Sequence, residues 1–390
     1  MTDPVRHMTQ YLRLRDLTHR LQTATPTSIG FPAAVDGDFR PAAPLLGYLL
    51  NNLGDPYMDG RYPGHAKDFE RDVLAYTANL FRAPTAWSGY VTSGGSEGNL
   101  YGLHLARTRH PNGVVLHSKA AHYSVGKAAH LLRMPTTVID TTATGEIDYQ
   151  HLRAVARYLD RPVIVVANIG TTMTEAIDDI TRIHTALDQA NVTDRYVHAD
   201  AALTGIPLAL TRGQRPGFDL ADGADSITIS GHKFLGTPLP CGIVIAHRHH
   251  TDRLATMISY IGTADTTITG SRSGHAAVML WMAIHHHGTQ GLRLRAEHGR
   301  DLAAYTVDRL TGIGWPAWRN PHALTVMLRT PPPEVAERWP LATADGWSHI
   351  ICMPGITRHQ IDAFIADLHT WLSAMTPPPV AAMTGPSPHS

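Results

Sequence analysis

The sequence has very little cysteine, no net charge and no long apolar run. Cys241 and Cys352 are its only two cysteines in 390 residues, too few for a disulfide framework or a cysteine zinc site. Lysine plus arginine equal aspartate plus glutamate at 33 each, so no overall charge favours nucleic acid or an anionic membrane. No apolar run reaches the roughly 18 residues of a membrane helix. We therefore expect a soluble cytoplasmic protein with no nucleic-acid or membrane partner.

Lysine is also scarce, and the position of one lysine stands out. The chain has four lysines and uses arginine for its other cations. Lys233 follows the β-branched segment Ser226–Ser230, where a predicted strand ends and a turn begins. A lysine in a loop is usually a surface residue, but lysine can also deprotonate and form a Schiff base. The sequence leaves both interpretations of Lys233 open at this point.

Apolar segments alternate with helical patterns through the middle of the chain. Near-continuous apolar strands such as Val163–Ala167 are typical of a mostly parallel sheet covered on both faces, so we expect an α/β fold. The predicted strands are Trp87–Val91, Val114–His117, Thr137–Ile139, Val163–Ala167, Tyr196–Ala199, Ser226–Ser230 and Ile243–Ala246.

The flanking regions predict further units. Residues 1–25 read as an amphipathic helix within an N-terminal arm, 1–50, and one apolar helix is expected near Pro44–Leu53. A large domain would span 51–275 and a smaller C-terminal α+β domain 276–375. Thr357 and Gln360 have the spacing of a capping box at the start of a final helix. The proline-rich residues 376–390 are expected to form a disordered tail.

A glycine-rich segment, Thr92–Asn99, lies between a predicted strand and helix. Free backbone N–H groups at a helix N-terminus can hold a phosphate or carboxylate, and the Ser96 hydroxyl could contribute. The same residues match the nucleophile elbow Gly94-x-Ser96-x-Gly98 of a serine hydrolase. The pattern alone allows either site.

Three further polar groups follow predicted strands. Asp200 ends an apolar strand, Asn168–Thr172 follows another, and His122 comes shortly after a third. Ligands of open α/β sheets bind at the carboxyl ends of strands. By contrast, adjacent histidines such as His247–His250 and His285–His287 cannot all face one ion, so we expect no metal site. Lysine, carboxylate, phosphate cradle and histidine together are the groups that bind pyridoxal 5'-phosphate (PLP).

Several long motifs, in order over roughly residues 28–370, resemble the group II PLP-dependent amino-acid decarboxylases. They include GYVTSGGSEGNLYGL, HYSVGKAAHLLRM, NIGTTMTEAIDDI, HADAALTG, SITISGHKFLGTPLPCG and TITGSRSGH. The sequence is most similar to the branch of histidine and serine decarboxylases. This resemblance implies the fold type I (aspartate aminotransferase-like) fold and a homodimer with its site at the interface.

The resemblance also implies roles for individual residues. Lys233 would bind the cofactor aldehyde, Asp200 would pair with the ring nitrogen, and His122 would lie on one ring face. Tyr260 would donate a proton from a mobile loop. The remaining cofactor-binding residues would be Gly95, Ser96, Thr172, Ala202, Ser230 and His232.

The motifs depart from the family at positions that bear on substrate. Ser93, Ser96 and Ser273 replace residues that the histidine and serine enzymes usually carry. We take Tyr62, His65 and Ser273 as candidate substrate-binding residues. We expect decarboxylation of an L-amino acid to its amine, with histidine favoured and serine or an uncommon amino acid as the alternative substrate. A serine hydrolase using Ser96 is the alternative class.

Overall fold

The computed structural model describes residues 4–375. The predicted disordered tail, 376–390, lies outside the described residues. The α-helices are α1 Pro4–Ala24, α2 Lys67–Leu80, α3 Gly95–Arg109, α4 Tyr123–Leu131, α5 Tyr149–Ala156, α6 Ile180–Gln189, α7 Gly205–Ala209, α8 Arg248–Thr251, α9 Gly274–Gly312, α10 Pro333–Ala336 and α11 Arg358–Met375. The strands are β1 Trp87–Thr92, β2 Val114–Ser118, β3 Thr136–Ile139, β4 Val163–Asn168, β5 Arg195–Asp200, β6 Ser226–Ser230, β7 Gly242–His247, β8 Thr256–Ile258, β9 Thr263–Asp265, β10 Ala317–Trp318, β11 Thr325–Arg329, β12 Ala342–Ala344 and β13 Trp347–Ile351.

A seven-stranded sheet forms the centre of the molecule, in the order β1-β7-β6-β5-β4-β2-β3. Strands β6, β5, β4, β2 and β3 pair in parallel, whereas β7 pairs antiparallel with β1 and β6. Every residue of β4 is buried, as its apolar sequence predicts for a strand covered on both faces. The seven predicted strands and the mostly parallel α/β sheet are therefore confirmed.

A second sheet lies toward the C-terminus, with four strands in the order β10-β11-β13-β12, all antiparallel. Helix α9 leads into it and is interrupted at Gly288, whose φ of 58° departs from helical geometry. Helix α11 follows it and begins at the predicted capping box: Thr357 N–H donates to Gln360 Oε1, and Gln360 N–H donates to Thr357 Oγ1. This part confirms the smaller C-terminal α+β unit.

The N-terminal arm differs from the sequence prediction in one element. Residues Arg40–Gly47 form a 3-10 helix in place of the apolar α-helix expected near Pro44–Leu53. Pro41 and Pro44 lack the backbone N–H that an α-helix interior requires, which explains the difference. Helix α1 is present as predicted, but it exposes its apolar side chains; Tyr11 and Leu14 are 63% and 65% exposed.

A buried glutamate joins the two sheets. Glu175 accepts hydrogen bonds from the backbone N–H groups of Leu324 and Thr325, beside β11, and from Thr204 Oγ1 on the large-sheet side. Glu175 is 1% exposed, and this burial raises the pKa of its carboxyl. The loop that carries Thr172 is therefore bonded to the second sheet, and His349 Nδ1 adds a contact of 3.1 Å with the Met173 carbonyl of the same loop.

Candidate active site

A cavity of about 450 Å³ lies at the carboxyl-end edge of the seven-stranded sheet. Residues following β1, β2, β4, β5 and β6 line it, which is where ligands of α/β sheets bind. The structure brings nine predicted residues together here: Gly95, Ser96, His122, Thr172, Asp200, Ala202, Ser230, His232 and Lys233.

One end of the cavity is formed by the N-terminus of α3 beside the end of β6. A Cβ atom added to Gly95 would lie 2.7 Å from Ser230 Oγ, so only glycine allows this close approach. The N-cap residue Gly94 has no side chain to pair with the first helical N–H groups. Such N–H groups and the adjacent Ser96 and Ser230 hydroxyls suit an anionic group.

Lys233 lies three residues beyond β6, in the turn that closes the same edge. Its backbone carbonyl accepts a hydrogen bond of 3.2 Å from Ala34 N–H, so the N-terminal arm covers this turn. Burial lowers the pKa of the Lys233 amine, while the carboxylates of Asp200 and Glu175 oppose that shift. A lysine with a lowered pKa is more available as a nucleophilic amine.

Asp200 is the last residue of β5 and is 6% exposed. Its Oδ2 accepts a hydrogen bond of 2.7 Å from Asn99 Nδ2, and its Oδ1 accepts one of 3.3 Å from the Ala202 N–H. Both donors are neutral, so neither hydrogen bond supplies a cationic partner, and the carboxylate is suited to a cationic ligand in the cavity.

His122 is the N-cap residue of α4. Its Nδ1 accepts a 3.3 Å hydrogen bond from Ser124 N–H and lies 2.8 Å from Ser124 Oγ. Burial and, to a smaller extent, Lys233 lower the pKa of the imidazole, while Asp200 opposes them. A neutral ring with Nδ1 accepting must carry its proton on Nε2.

The loop after β4 carries Thr172 into the cavity. Ile169 and Ile177 pair across its base, and Thr171 Oγ1 accepts a 3.0 Å hydrogen bond from Ala176 N–H. These local bonds and the Glu175 contacts fix the loop from within, so Thr172 keeps a defined place at the cavity wall.

Four predicted residues lie outside the residues that line this cavity. Tyr260 is in the turn between β8 and β9 and is 80% exposed. Tyr62 OH donates to the Leu49 carbonyl, and His65 Nδ1 accepts from Lys67 N–H. Ser273 caps α9, because its Oγ accepts a 3.1 Å hydrogen bond from Ala276 N–H.

Sequence reasoning missed several residues that belong to this region. Phe31 and Pro32 of the arm, and His349 and Ile351 of the second sheet, also line the cavity. Asn99 lines it as well and donates to Asp200, although the sequence-based prediction covered only its glycine-rich neighbours. Asn99 lies within a quoted motif, so its amide, placed four residues after Gly95, was the available signal.

The geometry favours a cofactor site over a hydrolase site. Within the described residues, neither predicted histidine of the cavity hydrogen-bonds the Ser96 hydroxyl: His122 Nδ1 contacts Ser124, and His232 Nδ1 lies 3.0 Å from the Cys241 carbonyl. A serine nucleophile needs a histidine base within hydrogen-bond reach.

Within residues 4–375, no group of histidine, cysteine, aspartate or glutamate side chains is arranged to hold a metal ion, and no helix is long and apolar enough to cross a membrane.

Several known proteins are similar to this chain in sequence. Residues 60–313 match the family described as the pyridoxal-dependent decarboxylase conserved domain. A protein named histidine decarboxylase from Mesorhizobium japonicum is 46% identical over 356 residues, covering 90% of this chain and 96% of that protein. One of the same name from Morganella morganii is 42% identical, covering 87% and 90%.

Solved structures share its fold. L-methionine decarboxylase from Streptomyces sp. 590 superposes with a TM-score of 0.85 at 25% identity, covering 95% of both chains. Glutamate decarboxylase from Lactobacillus brevis superposes with a TM-score of 0.79 at 19% identity, covering 96% of this chain and 93% of that one. The predicted fold type I architecture is therefore confirmed.

The residues of the cavity fit the cofactor of this family. The close approach of Gly95 to Ser230 leaves a helix N-terminus open for a phosphate, and the half-buried Lys233, whose amine pKa is lowered, suits an aldehyde. Asp200 supplies a buried anion for a protonated ring nitrogen. The chain belongs to the pyridoxal-dependent decarboxylases, and its cofactor is pyridoxal 5'-phosphate.

Proposed function

We propose that this protein decarboxylates L-histidine to histamine and carbon dioxide. The observation that carries the proposal is the meeting of Lys233, Asp200 and His122 in one cavity. The relatives named histidine decarboxylase, 41–46% identical over most of the chain, favour histidine over serine. When bound, pyridoxal phosphate accepts the electron pair that carbon dioxide leaves behind.

The chain's own residues have separate tasks in this proposal. The Lys233 amine would hold the cofactor through its aldehyde and would be the amine nearest to an incoming substrate. The Asp200 carboxylate keeps the ring nitrogen protonated, so the ring can accept electrons. His122 presents its Nε2–H to the cavity and orients the bound groups. Ser96, Ser230 and His232, with the Gly95 backbone, hold the phosphate. Thr172 and Ala202 hold the ring.

We also propose a homodimer with the active site at the interface. Helix α1 presents exposed apolar side chains along its length: Met8, Tyr11, Leu12, Leu14, Leu17 and Leu21. Exposed apolar side chains of this density usually mark a protein contact. Tyr260 is also exposed and lies outside its own cavity lining, so a second copy is the natural place for its proton-donor role.

Three smaller predictions complete the proposal. Both cysteines are free and buried, which fits a reducing compartment, and we propose that the protein is cytoplasmic. The arm, 1–50, the large domain, 51–275, and the small domain, 276–375, are retained as the proposed division of the chain. Tyr62, His65 and Ser273 remain proposed substrate-side residues, to be tested by their effect on KM.

Mass spectrometry tests the reaction and the substrate together. The PLP-loaded protein is incubated with a mixture of the common amino acids, and new amines are identified. We expect histamine, formed with carbon dioxide and absent when the Lys233→Ala variant is used. Ethanolamine in its place would transfer the assignment to serine. A keto acid without carbon dioxide would overturn the proposed reaction.

A further inference from the structure

A continuous chain of hydrogen bonds runs from Asp200 into the protein interior. Asn99 Nδ2 lies 2.7 Å from Asp200 Oδ2, and Asn99 Oδ1 lies 3.0 Å from His198 Nε2. His198 Nδ1 then lies 2.8 Å from Ser226 Oγ, which is 2.9 Å from Tyr196 OH. None of these five residues is more than 6% exposed, so the chain is shielded from solvent.

The chemistry of the groups fixes the direction of each bond. A carboxylate only accepts, so the Asn99 amide must turn its NH₂ toward Asp200 and its oxygen toward His198. His198 must then donate from Nε2, and burial lowers the pKa of this imidazole to about 4, so the ring is neutral. Its Nδ1 therefore accepts the Ser226 hydroxyl proton, and Ser226 Oγ accepts from Tyr196 OH. Every donor in the chain points toward Asp200.

Asn99 has a second branch that leads to the other side chain of the site. Its second amide proton is donated to Ser124 Oγ at 2.9 Å. Ser124 in turn lies 2.8 Å from His122 Nδ1, which already accepts from the Ser124 N–H. The serine hydroxyl therefore donates to His122, and this fixes the imidazole proton on Nε2. One amide thus contacts Asp200 directly and His122 through one serine.

Helix α3 is shaped to admit this arrangement. Asn99 and Gly102 lie three residues apart on α3 and so face the same side. A Cβ atom at Gly102 would overlap the His198 imidazole, so glycine leaves the space that the ring occupies. The absence of a side chain at Gly102 therefore lets α3 pack close enough for Asn99 to reach the His198 imidazole.

We propose that Asn99 and His198 are positioning residues that set the orientation of Asp200 and His122 toward the cofactor. His198 fixes the orientation of the Asn99 amide, and Asn99 holds both cofactor-facing side chains. This inference rests on the proposed roles of Asp200 and His122. Aligned hydrogen bonds strengthen one another in a medium of low dielectric constant. The chain thereby stabilises the ionised Asp200 with neutral donors and adds no cation to compete with the ring nitrogen.

The protonation of the cofactor ring is the decisive measurement. PLP labelled with ¹⁵N in the ring is bound to wild type, His198→Phe, Asn99→Leu and Asp200→Asn, and the ring nitrogen shift is recorded by NMR. In His198→Phe we expect partial loss of ring protonation and about 10-fold weaker PLP binding, the size expected for an unsatisfied buried group. Asn99→Leu should weaken PLP binding further, to about 100-fold, because two side chains lose their donor.

The kinetic pattern and a rescue variant separate positioning from a general structural defect. The kcat for L-histidine should fall about 10-fold in His198→Phe with little change in KM, because the substrate is not contacted. His198→Gln keeps a donor for Asn99 and should recover most of the ring protonation. His250→Gln is the matched control, since His250 is 1% exposed and bonds Asp225 instead of this chain.

Each remaining outcome decides the proposal. If His198→Phe and Asn99→Leu lower thermal stability but leave the ring nitrogen shift and PLP affinity unchanged, the positioning role is wrong. If Asp200→Asn leaves the ring protonated, the proposed role of Asp200 fails, and this inference fails with it. Should His198→Phe not fold, ¹⁵N NMR of the wild-type imidazole decides: a proton on Nδ1 in place of Nε2 would contradict the chain.

Discussion

The predicted site residues lie in two regions, at the strand ends of the large sheet and in the β8–β9 hairpin. The two regions differ in how they are placed relative to the cavity. Lys233, Asp200 and His122 converge on one cavity and are held by bonds within the chain. Tyr260, at the turn of the hairpin, is 80% exposed and lies outside that cavity lining. The sheet itself places the first group, whereas the hairpin residue would reach an active site only through the second copy that we propose.

The largest effect on activity is expected when the Lys233 amine, beyond the end of β6, is removed. Lys233→Ala should abolish histamine formation, because no other side chain at this edge replaces the amine that binds the aldehyde. The exposed Lys127 provides a matched control, and Lys127→Ala should retain wild-type turnover. Amine release is measured by mass spectrometry on PLP-loaded protein. Substantial turnover by Lys233→Ala would break the assignment of this edge as the reaction centre.

Removing the Tyr260 hydroxyl from the β8–β9 hairpin should lower kcat about 10²-fold or more, which is the usual contribution of a general acid. The variant is Tyr260→Phe, which keeps the ring. Co-expression of Tyr260→Phe with Lys233→Ala then tests the origin of the hydroxyl. If it acts across the interface, mixed dimers hold one intact site, and roughly a quarter of wild-type activity returns. No recovery would place the Tyr260 hydroxyl within its own subunit or remove its role.

The buried imidazole of the strand-end region should make stability depend on pH. Burial lowers the pKa of His198 from 6.5 to about 4, so the unfolded chain binds more protons between these values. The free energy of unfolding should therefore fall as pH drops from 6.5 toward 4, by up to roughly 3 kcal/mol from this group. Urea titrations of wild type and His198→Gln measure it. His359→Gln, at an exposed position of α11, should keep the wild-type slope.

The smallest effect concerns Ser273, which caps α9. Ser273→Ala should lower the free energy of unfolding by about 1 kcal/mol, while Ser273→Asn should preserve the cap. Denaturant unfolding and the KM for L-histidine are measured for both. If Ser273→Ala also raised KM several-fold while Ser273→Asn did not, the residue would act on substrate as well as on the helix.

The strands of the large sheet were predictable because their burial on both faces leaves an apolar signature. Short, nearly continuous apolar segments such as Val163–Ala167 and Ile243–Ala246 are typical of fully buried strands in α/β proteins. Polar residues directly after these strands could be assigned to one edge for the same reason. The second sheet could not be resolved into strands, because β10 and β12 have only two and three residues.

The missed residues depend on tertiary proximity. Asn99 and His198 are 99 positions apart, and no local pattern indicates that α3 brings the amide to the imidazole. Sequence reasoning singled out Asp200 in the same motif because a carboxylate at a strand end has an evident ligand. His198 is two residues earlier, and a buried histidine can have several structural roles. Its role here follows only from the directions of its hydrogen bonds, which the sequence does not show.

Glu175 limits how this enzyme can open. Moving the two sheets apart would strip a buried carboxylate of its partners and leave the Leu324 and Thr325 amides unpaired. Even when water replaces these partners, each lost hydrogen bond would cost roughly 0.5–1.5 kcal/mol, so the contacts oppose a clam-shell motion of the two lobes. We therefore expect substrate and product to pass by local movement of segments that line the cavity, such as the arm at Phe31 and Pro32, with the two lobes staying together.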